Sequence, residues 1–130
     1  MKRKLIILGA LVWGAVFFTA CEPEKSFDSA LLIGKWERNS PFATEEKSGN
    51  EYYRYDANNK GATWDSSEGV EESEADTFSW TLEKDMLKQL HDMAEGESKI
   101  PKNYTVTVLN ASTLTYKDGL GKLSTFKKSK

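Results

Sequence analysis

Apolar and polar residues alternate in short stretches along most of this chain, and turn residues separate the stretches. In the segment 77–83, Phe78, Trp80 and Leu82 alternate with polar neighbours. Residues 58–61, Asn-Asn-Lys-Gly, favour a hairpin turn because Asn and Gly adopt positive φ at low cost. Such alternation, with turn residues about every 8–12 positions, is typical of an antiparallel sheet closed into a barrel or sandwich.

The alternation predicts seven strands directly, and an eighth segment is ambiguous. The seven cover residues 33–39, 51–55, 62–65, 77–83, 104–108, 113–117 and 122–126. The segment 84–94 has apolar residues at the spacing of an amphipathic helix, namely Met86, Leu87, Leu90, Met93 and Ala94. The same segment forms a strand if a tight turn at Lys84-Asp85 pairs it with the preceding strand. We favour the strand, since about eight strands close a barrel just wide enough for side chains or one small ligand.

Three segments lie outside this pattern. Residues 27–32 predict a short helical turn before the first strand. The segment 66–76 is rich in acidic residues and almost free of apolar ones, so we interpret it as a solvated connection. The basic tail, 127–130, is expected to be frayed.

The first 21 residues carry the features of an export signal. Three basic residues, Lys2, Arg3 and Lys4, precede an uncharged run over 5–20. That run is shorter than the roughly 20 residues that a membrane-spanning helix needs, and small residues end it. A lone cysteine, Cys21, follows directly. An ordinary signal peptide cut nearby and an uncleaved signal anchor are the alternatives to lipidation at this cysteine.

The placement of Cys21 resembles the signal of bacterial lipoproteins. The resemblance implies a signal peptide over 1–20, a lipidated cysteine and tether over 21–30, and one folded domain over 31–128. It also implies attachment to a membrane through acyl chains such as palmitate on Cys21. The expected location is the envelope of a Gram-negative bacterium, as an outer-membrane lipoprotein facing either the periplasm or the cell surface.

Composition narrows the classes of function. The full chain has a formal charge of −2 and becomes more acidic once the basic signal is removed. An acidic chain is a poor nucleic-acid binder, because such binding needs Lys and Arg to neutralise phosphates. Cys21 is the only cysteine, so neither a disulfide nor a thiolate metal site is expected. Burial alone must stabilise the domain, and its many aromatic rings each bury about 150–250 Å².

A Gly-x-Trp motif, Gly34-Lys35-Trp36, opens the first predicted strand after a short turn. Further matching stretches are 52–56, 61–64, 78–82, 104–109 and 112–118. Together they resemble the lipocalin-like (calycin-type) domains of small bacterial lipoproteins. The resemblance implies an up-and-down β-barrel in which Trp36 packs across one end against a basic residue near the last strand. That region offers Lys122, Lys127 and Lys128 but no arginine.

No catalytic, metal or cofactor site is predicted. The single histidine, His91, has no cysteine partner and no nucleophile motif nearby. The acidic segment 66–76 lacks the regular Asp spacing of a calcium loop. We therefore expect a non-enzymatic protein.

The aromatic residues form the one candidate binding set. If the strands alternate as predicted, one interior is lined by Trp36, Tyr53, Tyr55, Trp64, Phe78, Trp80, Tyr104, Val106, Tyr116 and Phe126. These residues either fill a core or surround an apolar cavity in which tyrosine hydroxyls orient a small hydrophobic ligand. The expected function is binding of a small apolar or amphipathic ligand in the barrel. The alternative is an envelope protein-interaction module, an inhibitor or accessory subunit of unknown partner, with a filled barrel.

Overall fold

The computed structural model describes residues 25–92 and 99–129. The predicted signal peptide, 1–20, and the predicted lipidation site, Cys21, lie outside the described residues. Of the predicted tether, 21–30, the structure describes the part from Lys25 onward. No helix within the described ranges is long and apolar enough to cross a membrane.

One short helix precedes eight strands. Helix α1, Ser29–Leu32, begins after Asp28, whose side chain accepts a hydrogen bond from the backbone N–H of Ala30 at 2.9 Å. The strands are β1 Gly34–Asn39, β2 Asn50–Tyr55, β3 Lys60–Asp65, β4 Asp76–Glu83, β5 Met86–His91, β6 Pro101–Leu109, β7 Thr113–Lys117 and β8 Leu123–Lys128. Two 3₁₀ turns, Ser66–Glu68 and Glu72–Glu74, lie between β3 and β4.

Every strand pairs antiparallel with the next one, and β1 pairs with β8 to close the barrel. The closing ladder contains two residue pairs, Trp36 with Lys128 and Glu37 with Lys127. One further backbone bond joins the Ser129 N–H to the carbonyl of Lys35 at 2.7 Å. The prediction of an all-β, antiparallel up-and-down barrel of eight strands is confirmed.

The ambiguous segment contains β5, as the strand interpretation predicted. Lys84 has a φ of 56°, which closes a tight turn between β4 and β5. Met86 then pairs with Glu83, and Leu87 pairs with Leu82. Leu87 is fully buried, whereas Met86 is exposed, so the segment has the period-two burial of a strand. The end of the predicted segment, 93–94, lies outside the described residues.

The two ends of the barrel differ. The first end, which we call the closed end, carries α1 and the short connections 56–59, 84–85 and 110–112. The chain enters there, because the backbone N–H of Phe27 donates to the carbonyl of Lys84. The opposite end, which we call the open end, carries the connections 40–49, 66–75 and 118–122 and the described residues, 92 and 99–100, of the connection 92–100.

The prediction that the basic tail frays from residue 127 is wrong. Lys127 and Lys128 belong to β8 and pair with β1. The Lys128 ammonium reaches the carbonyl of Ile33, as expected of a long side chain whose charge finds a polar partner. The lysine-rich sequence at 127–128 is therefore the end of β8, the strand that closes the barrel.

Candidate functional site

The interior of the barrel is filled by side chains. Of the ten predicted interior residues, seven are buried in the core: Trp36, Tyr55, Phe78, Trp80, Val106, Tyr116 and Phe126. Tyr53 and Tyr104 are partly buried and pack against that core. The rings contact one another, as in the pairs Tyr55–Phe78 and Tyr116–Phe126, whose centroids lie 5.5 and 5.4 Å apart. The aromatic residues therefore form a packed core at the positions where a cavity was the alternative.

Trp64 is the exception, and the prediction that it faces the interior is wrong. The strand register places Trp64 opposite Tyr52, on the outer face of the sheet. The two rings stack with centroids 5.0 Å apart. The Lys35 ammonium lies 5.4 Å from the centroid of the Trp64 ring. Trp64 is nevertheless only 8% exposed, because both faces of β3 are covered.

The acidic connection between β3 and β4 is mostly exposed, as its interpretation as a solvated connection predicts, and part of it also covers this outer face. Its second 3₁₀ turn contacts β3. Within that turn, Glu72 accepts hydrogen bonds from Lys35 and Arg54, both at 2.8 Å. Both basic partners lower the pKa of the Glu72 carboxyl, with the Lys35 bond as the larger cause. The connection is thus folded onto the barrel wall by an ion-pair network.

At the closed end, Trp36 is buried between α1 and β8. Its indole N–H donates to the carbonyl of Leu32 at 2.8 Å. The Lys128 ammonium lies 4.6 Å from the centroid of the indole ring and donates to the carbonyl of Ile33 at 2.6 Å. Gly34 has a φ of +133°, and a Cβ there would lie 2.5 Å from Lys128 Nζ. The basic partner expected for Trp36 is therefore Lys128, and the positive φ of Gly34 favours glycine at that position.

The open end contains a recess of about 250 Å³. Its walls combine aromatic, apolar and charged side chains: Phe42, Glu51, Tyr53, Thr63, Trp64, Asp65, Glu68, Val70, Asp76, His91 and Lys102. The inward-facing ends of β2 to β6 supply its floor, and the connections 40–49 and 66–75 supply its lip. Of this set, only Tyr53 and Trp64 belong to the binding residues predicted from the sequence.

Arg38 lies between this open end and the core. Its guanidinium lies 4.9 Å from the centroid of the Phe126 ring and pairs with Glu51 at 2.7 Å. Arg38 shares the inward-facing parity of Trp36 on β1, so a charge occupies an interior position. Sequence reasoning missed this residue, although the same alternation that assigned Trp36 to the interior also predicts it for Arg38.

A chain of hydrogen bonds connects His91 at the recess to the core. His91 Nε2 lies 2.8 Å from Gln89 Oε1, and Gln89 Nε2 donates to the Tyr55 hydroxyl at 2.7 Å. Because the Gln89 carbonyl accepts, His91 Nε2 carries the hydrogen in this arrangement. Burial, together with the nearby Lys102 charge, lowers the pKa of His91. Burial also raises the pKa of Tyr55 well above its ordinary value, so both groups are neutral at pH 7.

A second polar cluster joins two connections of the open end. The Ser40 hydroxyl donates to Asp65 Oδ2 at 2.5 Å, and the Ser67 hydroxyl donates to Asp65 Oδ1 at 2.6 Å. The backbone N–H of Ser67 donates to the same Oδ1. Burial alone would raise the pKa of the Asp65 carboxyl, but the bonds from Ser40 and Ser67 outweigh it and lower that pKa. The ionised carboxylate thus fixes the lip of the recess.

We expect Asp65→Ala to lower the free energy of unfolding at pH 7 by about 1–3 kcal/mol, because buried hydroxyl donors of Ser40 and Ser67 lose their acceptor. The folded pKa of Asp65 lies below its unfolded value, so its contribution is present above the unfolded pKa and is lost as pH falls through the folded pKa. Urea unfolding at pH 7 and pH 2.5 (roughly one unit below an ordinary Asp pKa) measures both effects. The difference between wild type and variant should shrink at the lower pH, and a constant difference would contradict this assignment. Asp56→Ala is the control, since Asp56 forms a partly exposed ion pair with Arg54.

The largest exposed apolar side chains lie around the open end. Phe42 is 65% exposed, Ile100 71%, Leu120 96% and Leu123 60%. Three of them lie on the connections 40–49, 92–100 and 118–122, and Leu123 begins β8. We call these four residues the open rim. Exposed apolar side chains at the closed end, such as Met86, are less exposed.

Comparison with known proteins assigns no family to this chain. No family model, no curated protein and no solved structure matches it. Among the residues that the structure describes, no group of three or more His, Cys, Asp or Glu side chains could hold a metal ion. The candidate site is therefore defined by its geometry: a filled barrel, a small charged recess and an apolar open rim.

Proposed function

We propose that this chain is a lipid-anchored, non-enzymatic protein-interaction module of the bacterial envelope, and that it binds its partner through the open rim. One observation carries the proposal: the barrel interior is packed, while the most exposed apolar side chains surround its open end. Contiguous exposed apolar surface marks an interaction site, and these four side chains lie at one end of the barrel. The lipocalin-like assignment belongs to the same proposal, and Trp36 under Lys128 at the closed end supports it.

The packed barrel interior, with a recess that lies at the surface, favours a protein partner over a carried ligand. Ligand pockets usually measure about 300–1,000 Å³ and bury most of their ligand. The recess at the open end measures about 250 Å³ and lies at the surface. The recess can accommodate one side chain that protrudes from a larger molecule better than it can enclose a whole apolar molecule.

The position of the anchor supports the same proposal. Lys25 follows Cys21 by four positions, which span at most about 14 Å when extended. The chain enters at the closed end, where Phe27 bonds to Lys84. Acyl chains on Cys21 therefore hold the closed end near the membrane. The six-residue strands place the open rim about 20 Å farther along the barrel wall, where a neighbouring protein can reach it.

The test is photo-cross-linking of the full-length chain in intact host cells. A photoreactive phenylalanine analogue replaces Phe42 at the open rim, and a matched variant carries it at Met86, which is exposed at the closed end. We expect one discrete protein adduct at position 42 and none of that mass at position 86. Absence of a protein adduct at position 42, or equal adducts at both positions, would reject the proposal.

A small ligand at the recess is the second candidate, because Phe42, Tyr53 and Thr63 line it together with charged groups. Native mass spectrometry of the full-length protein, purified gently from its host, distinguishes the two. A bound molecule of defined mass in wild type that is lost in Tyr53→Ala favours the ligand. A mass that equals the acylated chain alone favours the protein partner.

A further inference from the structure

The connections that form the lip of the recess carry acidic charge. The segment 66–76 holds five acidic side chains and no basic one: Glu68, Glu71, Glu72, Glu74 and Asp76. The connection 40–49 adds Glu45 and Glu46 beside a single Lys47. Within the described part of the chain, Glu72 is the only one of these acids that forms an ion pair. Of the others, Glu68 and Asp76 are exposed and line the recess.

The recess combines that charge with apolar surface. Phe42 and Val70 line it next to Glu68 and Asp76. A lysine or arginine side chain has the complementary composition, since its apolar stem can cover hydrophobic surface while its charged end stays near water or an acid. Lys102 also lines the recess from β6 and limits the number of cations that can enter. The site accordingly has room and charge for one long cationic side chain.

We propose that the lip of the recess docks a basic surface of a protein partner, and that one lysine or arginine of that partner enters the recess. The proposal rests on the proposed function and names its partner class. Complementary charge steers two proteins together and fixes their orientation. Phe42 lines the recess and also belongs to the open rim. A basic side chain of the partner that enters the recess would therefore lie next to the apolar side chains of the open rim.

The acidic charge of the lip also distinguishes a protein surface from a lipid surface as the surface that binds there. A membrane with anionic lipids attracts basic segments, whereas this lip is acidic. The anchored closed end already faces the membrane in the proposed arrangement. A basic protein surface is the occupant that the charges of the lip favour.

The experiment measures how the adduct depends on charge. The full-length chain carries a photoreactive residue at Val70 and is cross-linked in intact host cells. A double variant, Glu68→Lys with Asp76→Lys, reverses two exposed charges at the recess. The control is Glu83→Lys, which reverses an exposed charge at the closed end of the same strand, β4. Thermal unfolding verifies that both variants remain folded, and Glu68→Gln with Asp76→Asn removes the charges without adding new ones.

We expect the double reversal to reduce the adduct at least tenfold and the control to change it less than twofold. The neutral pair should give an intermediate loss. In isolated membranes, raising the salt from 0.1 to 1 M should weaken the adduct, since the Debye length falls from about 10 to 3 Å. The cross-linked partner peptide should come from a Lys- or Arg-rich surface.

Each contrary result has a distinct meaning. A protein adduct that survives charge reversal, or that maps to an acidic surface, overturns this inference and leaves the proposed function standing. Lack of any protein adduct at positions 42 and 70 overturns both. An adduct with lipid at these positions also overturns both.

Discussion

Replacement of Trp36 by alanine is expected to lower the free energy of unfolding by about 3–5 kcal/mol. The side chain is fully buried, so its removal leaves a large cavity under the closed end. Its hydrogen bond to Leu32 and the covering contact with Lys128 disappear with it. Urea unfolding followed by tryptophan fluorescence and circular dichroism measures the change.

Two variants separate burial from the polar contacts of Trp36. Trp36→Phe retains a ring under Lys128 and loses the indole N–H, so it should lose clearly less stability than alanine. Phe42→Ala removes an exposed ring at the open end and should change stability by less than about 0.5 kcal/mol. If Trp36→Ala is as mild as Phe42→Ala, Trp36 does not close the barrel in the way described.

Gly61→Val is expected to cost about 3 kcal/mol, at the upper end of the usual range for overpacking a core. Gly61 lies on β3 between the carbonyl of Arg54 and the ring of Phe78, and a Cβ there would be 2.6 Å from Phe78 Cζ. The Arg54 carbonyl, which would lie closer still, is backbone and cannot rotate away. The fall in the urea midpoint at an unchanged m-value measures the loss.

The control for Gly61 is Gly119→Val. A Cβ at Gly119 would meet nothing within 4 Å, and no positive φ is recorded there. This variant should therefore stay close to wild type in stability. Equal losses at the two positions would indicate that strand or turn propensity, and not the contact with Phe78, determines the cost at Gly61.

Strands such as β4 and β5 were predictable because they bury alternate side chains. Phe78 and Trp80 are buried while their polar neighbours are more exposed, which is the period-two pattern read from the sequence. The turn at Lys84 was also predictable, and it resolved the ambiguous segment in favour of β5. Local alternation is strong here because one face of each strand meets a packed interior.

The face on which Trp64 lies was not predictable from the same pattern. On β3, both Ala62 and Trp64 are buried, as are Gly61 and Asp65 on the other face. Alternation cannot assign faces when both are covered. The cover on the outer face depends on Glu72 meeting Lys35 and Arg54, which are distant in sequence. Nothing local in an acidic, apolar-poor segment indicates such a contact.

The candidate site was the least predictable part. The recess depends on connections whose shape is set by contacts such as Ser40 with Asp65, which are 25 residues apart. Most of the aromatic residues that the sequence predicts as a binding set form the core. The exposed side chains that define the open rim, such as Leu120, carry no periodic signal because they lie in turns.

The closure of the barrel by its first and last strands has a consequence for how the chain is delivered. Trp36 and Lys128 meet across almost the whole described sequence. When a chain is synthesised or threaded through a pore from its N-terminus, β1 emerges early. One edge of β1 then stays unpaired until β8 has emerged. Such long-range pairing forms slowly and only after the intervening chain is available. Closure therefore requires that residues 127–128 are available, and a chain that lacks them would keep an open strand edge able to pair with other chains.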